Sequence, residues 1–178
     1  MASEGDALIF HKTLPIGGAH IMVDLVEGLQ APPEVCEQLK RNYVFSNSES
    51  GQEPPAQTVQ GRTFTHREVA DVLEPRVDEL AEMIQDCIEH SGIHLTSYSH
   101  IYLTGGGIAM MNGGRVYLSA RLEQTVRQAQ NRSAKLKLPI YASTLGLADL
   151  VFEAQEAPGE SQSVIERIKD FFAQLLQR

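Results

Sequence analysis

The spacing of apolar positions changes several times along the chain, and each change marks an element. "ALIFHKTLPI" (7–16) carries β-branched and aromatic residues with a proline near its end, which predicts an extended segment. Gly17-Gly18 interrupts it. A helix follows, with Ile21, Leu25 and Val26 on one face and Gly28 as its closing residue. Pro32-Pro33 open a second helix with a stripe of Val35, Leu39 and Tyr43. Residues 46–61, "SNSESGQEPPAQTVQG", are polar and rich in Gly and Pro, and read as a surface loop.

The longest helical pattern runs through Val69, Val72, Leu73, Val77, Leu80, Ile84, Cys87 and Ile88. Thr65 and Glu68 stand at capping-box spacing before it, Pro75 is expected to kink or divide it, and Gly92 to end it. "HIYLT" (100–104) reads as a short buried strand that flows into Gly105, Gly106 and Gly107 and then a helix. "RVYLSARLEQ" is helical, "TVRQAQ" extended, "NRSAKLK" a basic loop, and "PIYASTLGLADLVF" a helix opened by proline. An acidic linker (153–160) precedes a terminal helix (161–178). Strands alternating with helices give an α/β class.

Composition narrows the function classes. Apolar residues make up 42% of the 178, enough for a core. A net charge of −8 argues against a broad nucleic-acid footprint. Cys36 and Cys87, each in an apolar helical pattern, read as buried thiols of a reducing cytosol. The small, polar Met1–Asp6 opening reads as no signal peptide, and no apolar run reaches membrane-spanning length. The chain holds no Walker A pattern, no GxGxxG after a strand and no GxSxG elbow. His90 and His94 have Gly92 between them and no completing carboxylate, which disfavours a metal site.

Three adjacent glycines after a strand are more than a plain turn needs, because each costs backbone entropy. They expose N–H groups and let a ligand lie against bare backbone, although a tight strand-to-helix turn would use the same residues. Around them, "TLPIGGAHIMVDLVEGL", "EQLK", "FTHREVADVLEPRVDELAEMI", "IYLTGGGIAMMNGG" and "YASTLGLADL" follow in order. This series resembles the second half of the actin-like (ribonuclease H-like) ATPases, and among them the bacterial cell-division protein FtsA family, over residues 7 to 152.

The resemblance implies a partial actin-like fold in residues 1–152, with a mostly helical insertion at 28–95. It places the loop Leu103–Gly107, with Gly105, Gly106 and Gly107 foremost, and Ile108 against the adenosine of ATP. Gly17 and Gly18 form the turn before a helix bearing Asp24, and Glu37 and Lys40 face the nucleotide from the other side of its cleft. The first half of the fold and its phosphate-binding hairpins fall outside the match, the chain starting just after the strand expected before "GDALIF". ATP with Mg2+ is therefore expected only in a complete protein, and no turnover from this chain alone. The resemblance further implies self-association into filaments with a division-ring partner, and a location on the cytoplasmic face of the cell membrane. The terminal stripe of Val164, Ile165, Ile168, Phe171, Phe172, Leu175 and Leu176 would contact that membrane, Ile168 and the residues after it most directly. The other readings are an MreB-like or PilM-like actin-fold protein, and an interaction module that binds no nucleotide.

Overall fold

The computed structural model describes residues 1–5, 7–45, 54–96, 98–130 and 136–156. The terminal stripe and the second half of the acidic linker, 157–160, lie outside them. The chain divides into two compact units, Met1–Ala129 and Gln130–Arg178.

The first unit opens with an antiparallel hairpin. β1 (Ala2–Glu4) pairs with β2 (Ala7–Phe10), Ser3 opposite Leu8. The extended segment read at 7–16 is regular only as far as Phe10. Gly17 then leads into α1 (Gly18–Leu29), where the N–H of Gly17 donates to Nδ1 of His20 at 3.1 Å. α1 continues past Gly28 and ends at Gln30, which adopts φ 49°. Gly28 is not the cap. A Cβ there would stand 2.6 Å from a methyl of Val72, so this glycine lets α1 close onto the long helix. α2 (Pro33–Asn42) buries Val35, Cys36 and Leu39, with Tyr43 just beyond.

The segment read as a loop ends in a second hairpin, β3 (Gln57–Val59) and β4 (Arg62–Phe64). Gln60 and Gly61 turn it with φ of 49° and 80°, the left-handed pair a two-residue hairpin requires. It buries Val59 and Phe64, and the Arg62 guanidinium donates to the carbonyls of Leu29 (3.1 Å) and Gln30 (3.3 Å). Those carbonyls end α1 and have no partner within the helix.

α3 (His66–His90) is one helix despite Pro75. Its start is the box the sequence indicates. The Glu68 N–H donates to Oγ1 of Thr65 (3.2 Å), and Thr65 N–H donates back to the Glu68 carboxylate (2.8 Å). Val69, Leu73, Val77 and Ala81 are buried, and the first three join α1, α2 and the β3–β4 hairpin in the main core. Cys87, read as buried, is half-buried.

β5 (Ile101–Leu103) and β6 (Val126–Gln128) form a parallel pair with α4 (Gly114–Arg121) between them in sequence. β5 is not the buried strand its composition suggests: Tyr102 is 58% exposed. Nor do the glycines run straight into a helix. A single 3-10 turn, Ile108–Met110, comes first. Leu118 and Leu122 of α4 join Val126 and Ala81 in a smaller core.

In the second unit a turn at Pro139–Tyr141 leads into α5 (Ala142–Glu156). The expected linker therefore starts as helix through Glu156.

Candidate functional site

The helix pair α1–α3 builds one side of a cleft. Gly28 meets Val72, and one turn earlier on α1 Asp24 meets Arg76, so the two helices run antiparallel in a fixed register. The Arg76 guanidinium is held bidentately by Asp24, Nε to Oδ2 at 2.5 Å and Nη2 to Oδ1 at 2.9 Å, and Nη1 reaches Glu79 at 2.5 Å. Asp24 first, then the charge of Glu79, keep Arg76 protonated beyond its ordinary range against the effect of burial. Continuing along the register, Ile21 of α1 and Leu80 of α3 reach the cleft itself.

The other side is the turn after β5. Leu103, Thr104, Gly107 and Ile108 face Ile16, Gly17 and Gly18 across about 260 Å³. The two turns nearly touch at one edge, where a Cβ on Gly18 would lie 3.5 Å from Cα of Gly107. Among the described residues, Arg76 is the one charged residue lining the cleft, and two carboxylates already engage it.

Of the residues predicted from sequence, Gly17, Gly18, Gly107 and Ile108 come together in this cleft. Gly105 supports the turn with φ 98°, and Gly106 is exposed beside it. Lys40 reaches the site from α2. Its Nζ donates to the Gly18 carbonyl at 3.3 Å and pairs with Glu37 at 2.5 Å. Glu37 also accepts from Nε of Arg41 at 2.8 Å. Burial works to raise the Glu37 carboxyl, but hydrogen bonds and charge from Lys40 and Arg41 hold it below the ordinary carboxylate range. Neither residue lines the cleft; together they fix the Gly18 turn to α2. The predicted membrane-contacting residues, Ile168, Phe171, Phe172, Leu175 and Leu176, lie outside the described residues.

Sequence reasoning found Leu103 and Thr104 with the loop and missed Ile16, Ile21, Arg76 and Leu80 as lining residues. Nothing local marks Arg76, whose partner Asp24 is 52 residues away.

Two glycine sets distinguish packing from vacancy. At Gly114 a Cβ would come within 2.6 Å of the Ile108 carbonyl oxygen, and at Gly113, with φ 78°, within 3.0 Å of the Phe45 carbonyl oxygen. These glycines are needed by the protein's own packing. At Gly17 a Cβ would meet nothing within 4 Å, and at Gly107 only the Gly18 nitrogen at 4.0 Å. Their φ values, −160° and −91°, are outside the left-handed region.

No family model matches the chain. Among curated relatives, the cell division protein FtsA of Bacillus subtilis (strain 168) is 29% identical over 142 residues, 76% of this chain and 32% of that protein. FtsA of Helicobacter pylori (strain J99) is 31% identical over 119 residues, 61% of this chain and 24% of that protein. FtsA of Pseudomonas aeruginosa is 28% identical over 169 residues, 85% of this chain and 38% of that protein. The chain thus spans about a quarter to two fifths of the length of these relatives. Among solved structures, the ethanolamine utilization protein EutJ of Carboxydothermus hydrogenoformans superposes with a TM-score of 0.50 at 20% identity, over 76% of this chain and 38% of that one, a likeness of fold alone. The chain is similar to part of the FtsA proteins, and its fold is a partial actin-like ATPase fold.

Proposed function

We propose that the Gly17–Gly18/Gly107–Ile108 cleft is the nucleoside-facing part of an ATP site in an FtsA-like protein. The observation that carries this is the vacancy at Gly17 and Gly107, where neither packing nor a left-handed φ calls for glycine. Glycine there keeps space open for a flat ligand against bare backbone. The walls suit a base and ribose: Ile16, Ile21, Leu80, Leu103 and Ile108 supply apolar surface, and Thr104 is a polar residue among them. They do not suit the phosphates, since Arg76 is already neutralised. Mg2+ and the phosphate contacts would come from the part of the fold that this chain does not match, and Mg2+ would there neutralise phosphate charge. Lys40 and Glu37 act here as the clamp that holds the Gly18 carbonyl and hence the cleft wall.

Isothermal titration tests the division of labour. This chain should bind ATP more weakly than about 100 μM and turn none over, because the phosphates contribute much of a nucleotide's hold. Submicromolar affinity, or turnover, would contradict it.

The family likeness also supports a role on the cytoplasmic face of the cell membrane, tethering a division filament through the terminal stripe. The polar side of that stripe is nearly neutral, with Arg167, Lys169 and Arg178 against Glu166 and Asp170. Apolar burial of Phe171, Phe172 and Leu175 would then supply the binding, weak for one copy and effective for a polymer. Phe171→Glu with Leu175→Glu should release the chain from liposomes in a flotation assay without lowering its melting temperature.

A further inference from the structure

Arg76 lines the cleft between the α1–α3 pair and the turn after β5. A guanidinium carries five N–H donors in one fixed plane. Three are in use: Nε–H and one Nη2–H go to Asp24, and one Nη1–H goes to Glu79. Two remain, one on each Nη, and no acceptor among the described residues takes them. We infer that these two N–H groups recognise the ligand of the cleft by donating to an uncharged acceptor. In a nucleoside that acceptor is a ring nitrogen of the base or a hydroxyl oxygen of the ribose. The inference rests on the nucleoside reading above and adds the group that selects the ligand.

Placement, charge and cost all favour this assignment. Asp24 stands one turn along α1 from Ile21, and Leu80 one turn along α3 from Arg76, and both apolar residues line the cleft. The guanidinium is therefore anchored beside the apolar walls. Together Arg76, Asp24 and Glu79 sum to one negative charge, so the cluster repels a phosphate while its N–H groups still donate. Carboxylates from two helices hold the guanidinium plane, so an arriving acceptor finds its donors already oriented. The Arg76 side chain is 28% exposed, and water serves its remaining donors until a ligand displaces it. A purely apolar ligand would strand both N–H groups, each at the desolvation cost of an unmade hydrogen bond, whereas a nucleoside supplies acceptors. Asp24 and Glu79 touch the guanidinium rather than the ligand, and act as positioning residues.

The test is an NMR titration of the intact chain, read at backbone amides and at the Arg76 side chain. The ligands are adenosine, its 1-, 3- and 7-deaza analogues, and 2′- and 3′-deoxyadenosine, each analogue lacking one acceptor. Adenosine should move the Arg76 Nη protons together with the cleft amides. At least one analogue should bind about fivefold more weakly or worse, the loss expected when a charge-assisted hydrogen bond is deleted. A deaza analogue as the weak binder assigns the base, and a deoxy analogue assigns the ribose. If all the analogues bind within about twofold of adenosine, the inference is overturned while the nucleoside reading stands. If adenosine moves neither Arg76 nor the cleft amides, both are overturned. Inorganic phosphate at about 20 mM should displace no adenosine, and displacement overturns the uncharged acceptor. Asp24→Asn should narrow the spread among the analogues, and Asp24→Asn with Arg76→Gln should erase it. A spread that survives the double change overturns the assignment to Arg76. Where the double variant fails to fold, the wild-type analogue series and the Arg76 Nη shifts decide alone.

Discussion

Gly113-Gly114 and Gly28 are glycines because the protein fills the space where a side chain would go. Gly17 and Gly107 are glycines although nothing fills it. Both sets occur in the first unit, and Gly107 and Gly114 flank the same short turn. The difference shows that glycine in a sequence reports crowding or vacancy, and that only coordinates separate the two. Crowding explains stability; vacancy next to an apolar cleft points to a ligand.

The scale for breaking this comparison is Leu73→Ala, which empties a fully buried site among α1, α2 and α3 and should cost about 2–5 kcal/mol in denaturant unfolding. Gly114→Ala should approach the lower end of that range, roughly 1–3 kcal/mol, since the new methyl meets a backbone oxygen that cannot rotate away. Gly28→Ala belongs to the same class but meets the methyls of Val72. Adding Val72→Ala should recover part of its loss, which a double-mutant cycle measures. Gly105→Ala should cost on the order of 1 kcal/mol from its φ of 98° alone, because the space around it is open.

Gly107→Val should cost less stability than Gly114→Ala and yet abolish nucleoside binding. If Gly107→Val instead destabilises as Gly114→Ala does, the two glycines belong to one class and the cleft loses its support.

The smallest expected effect is in pH. The Glu37 carboxyl titrates below its ordinary 4.5 in the folded chain, so its contribution is present above that pH and is lost as pH falls through the folded value. Glu37→Gln should flatten that part of the acid unfolding profile and loosen Lys40 from the Gly18 carbonyl.

Much of the fold was legible in the sequence where its cause is local. The stripe and cap of α3 rest on residues three and four apart, and both appear in the structure. The β3–β4 hairpin was missed because three-residue strands are too short to show alternation, and its Gln-Gly turn was absorbed into a polar run. Gly28 was read as a cap because a glycine near a helix end commonly is one; its contact with Val72 depends on a crossing that no local pattern encodes. The cleft was half legible. The two glycine turns stand out as motifs, whereas Arg76 and the antiparallel register that brings Ile21 and Leu80 to the cleft arise from pairing between distant helices.

The most direct measurement is a backbone NMR titration of this chain with adenosine. The account predicts saturable shifts, at roughly millimolar affinity, that are concentrated at Gly17, Gly18, Thr104, Gly107 and Ile108 and absent in Gly107→Val. Saturating adenosine with no shifts at these residues, or with shifts gathered elsewhere on the chain, would contradict it.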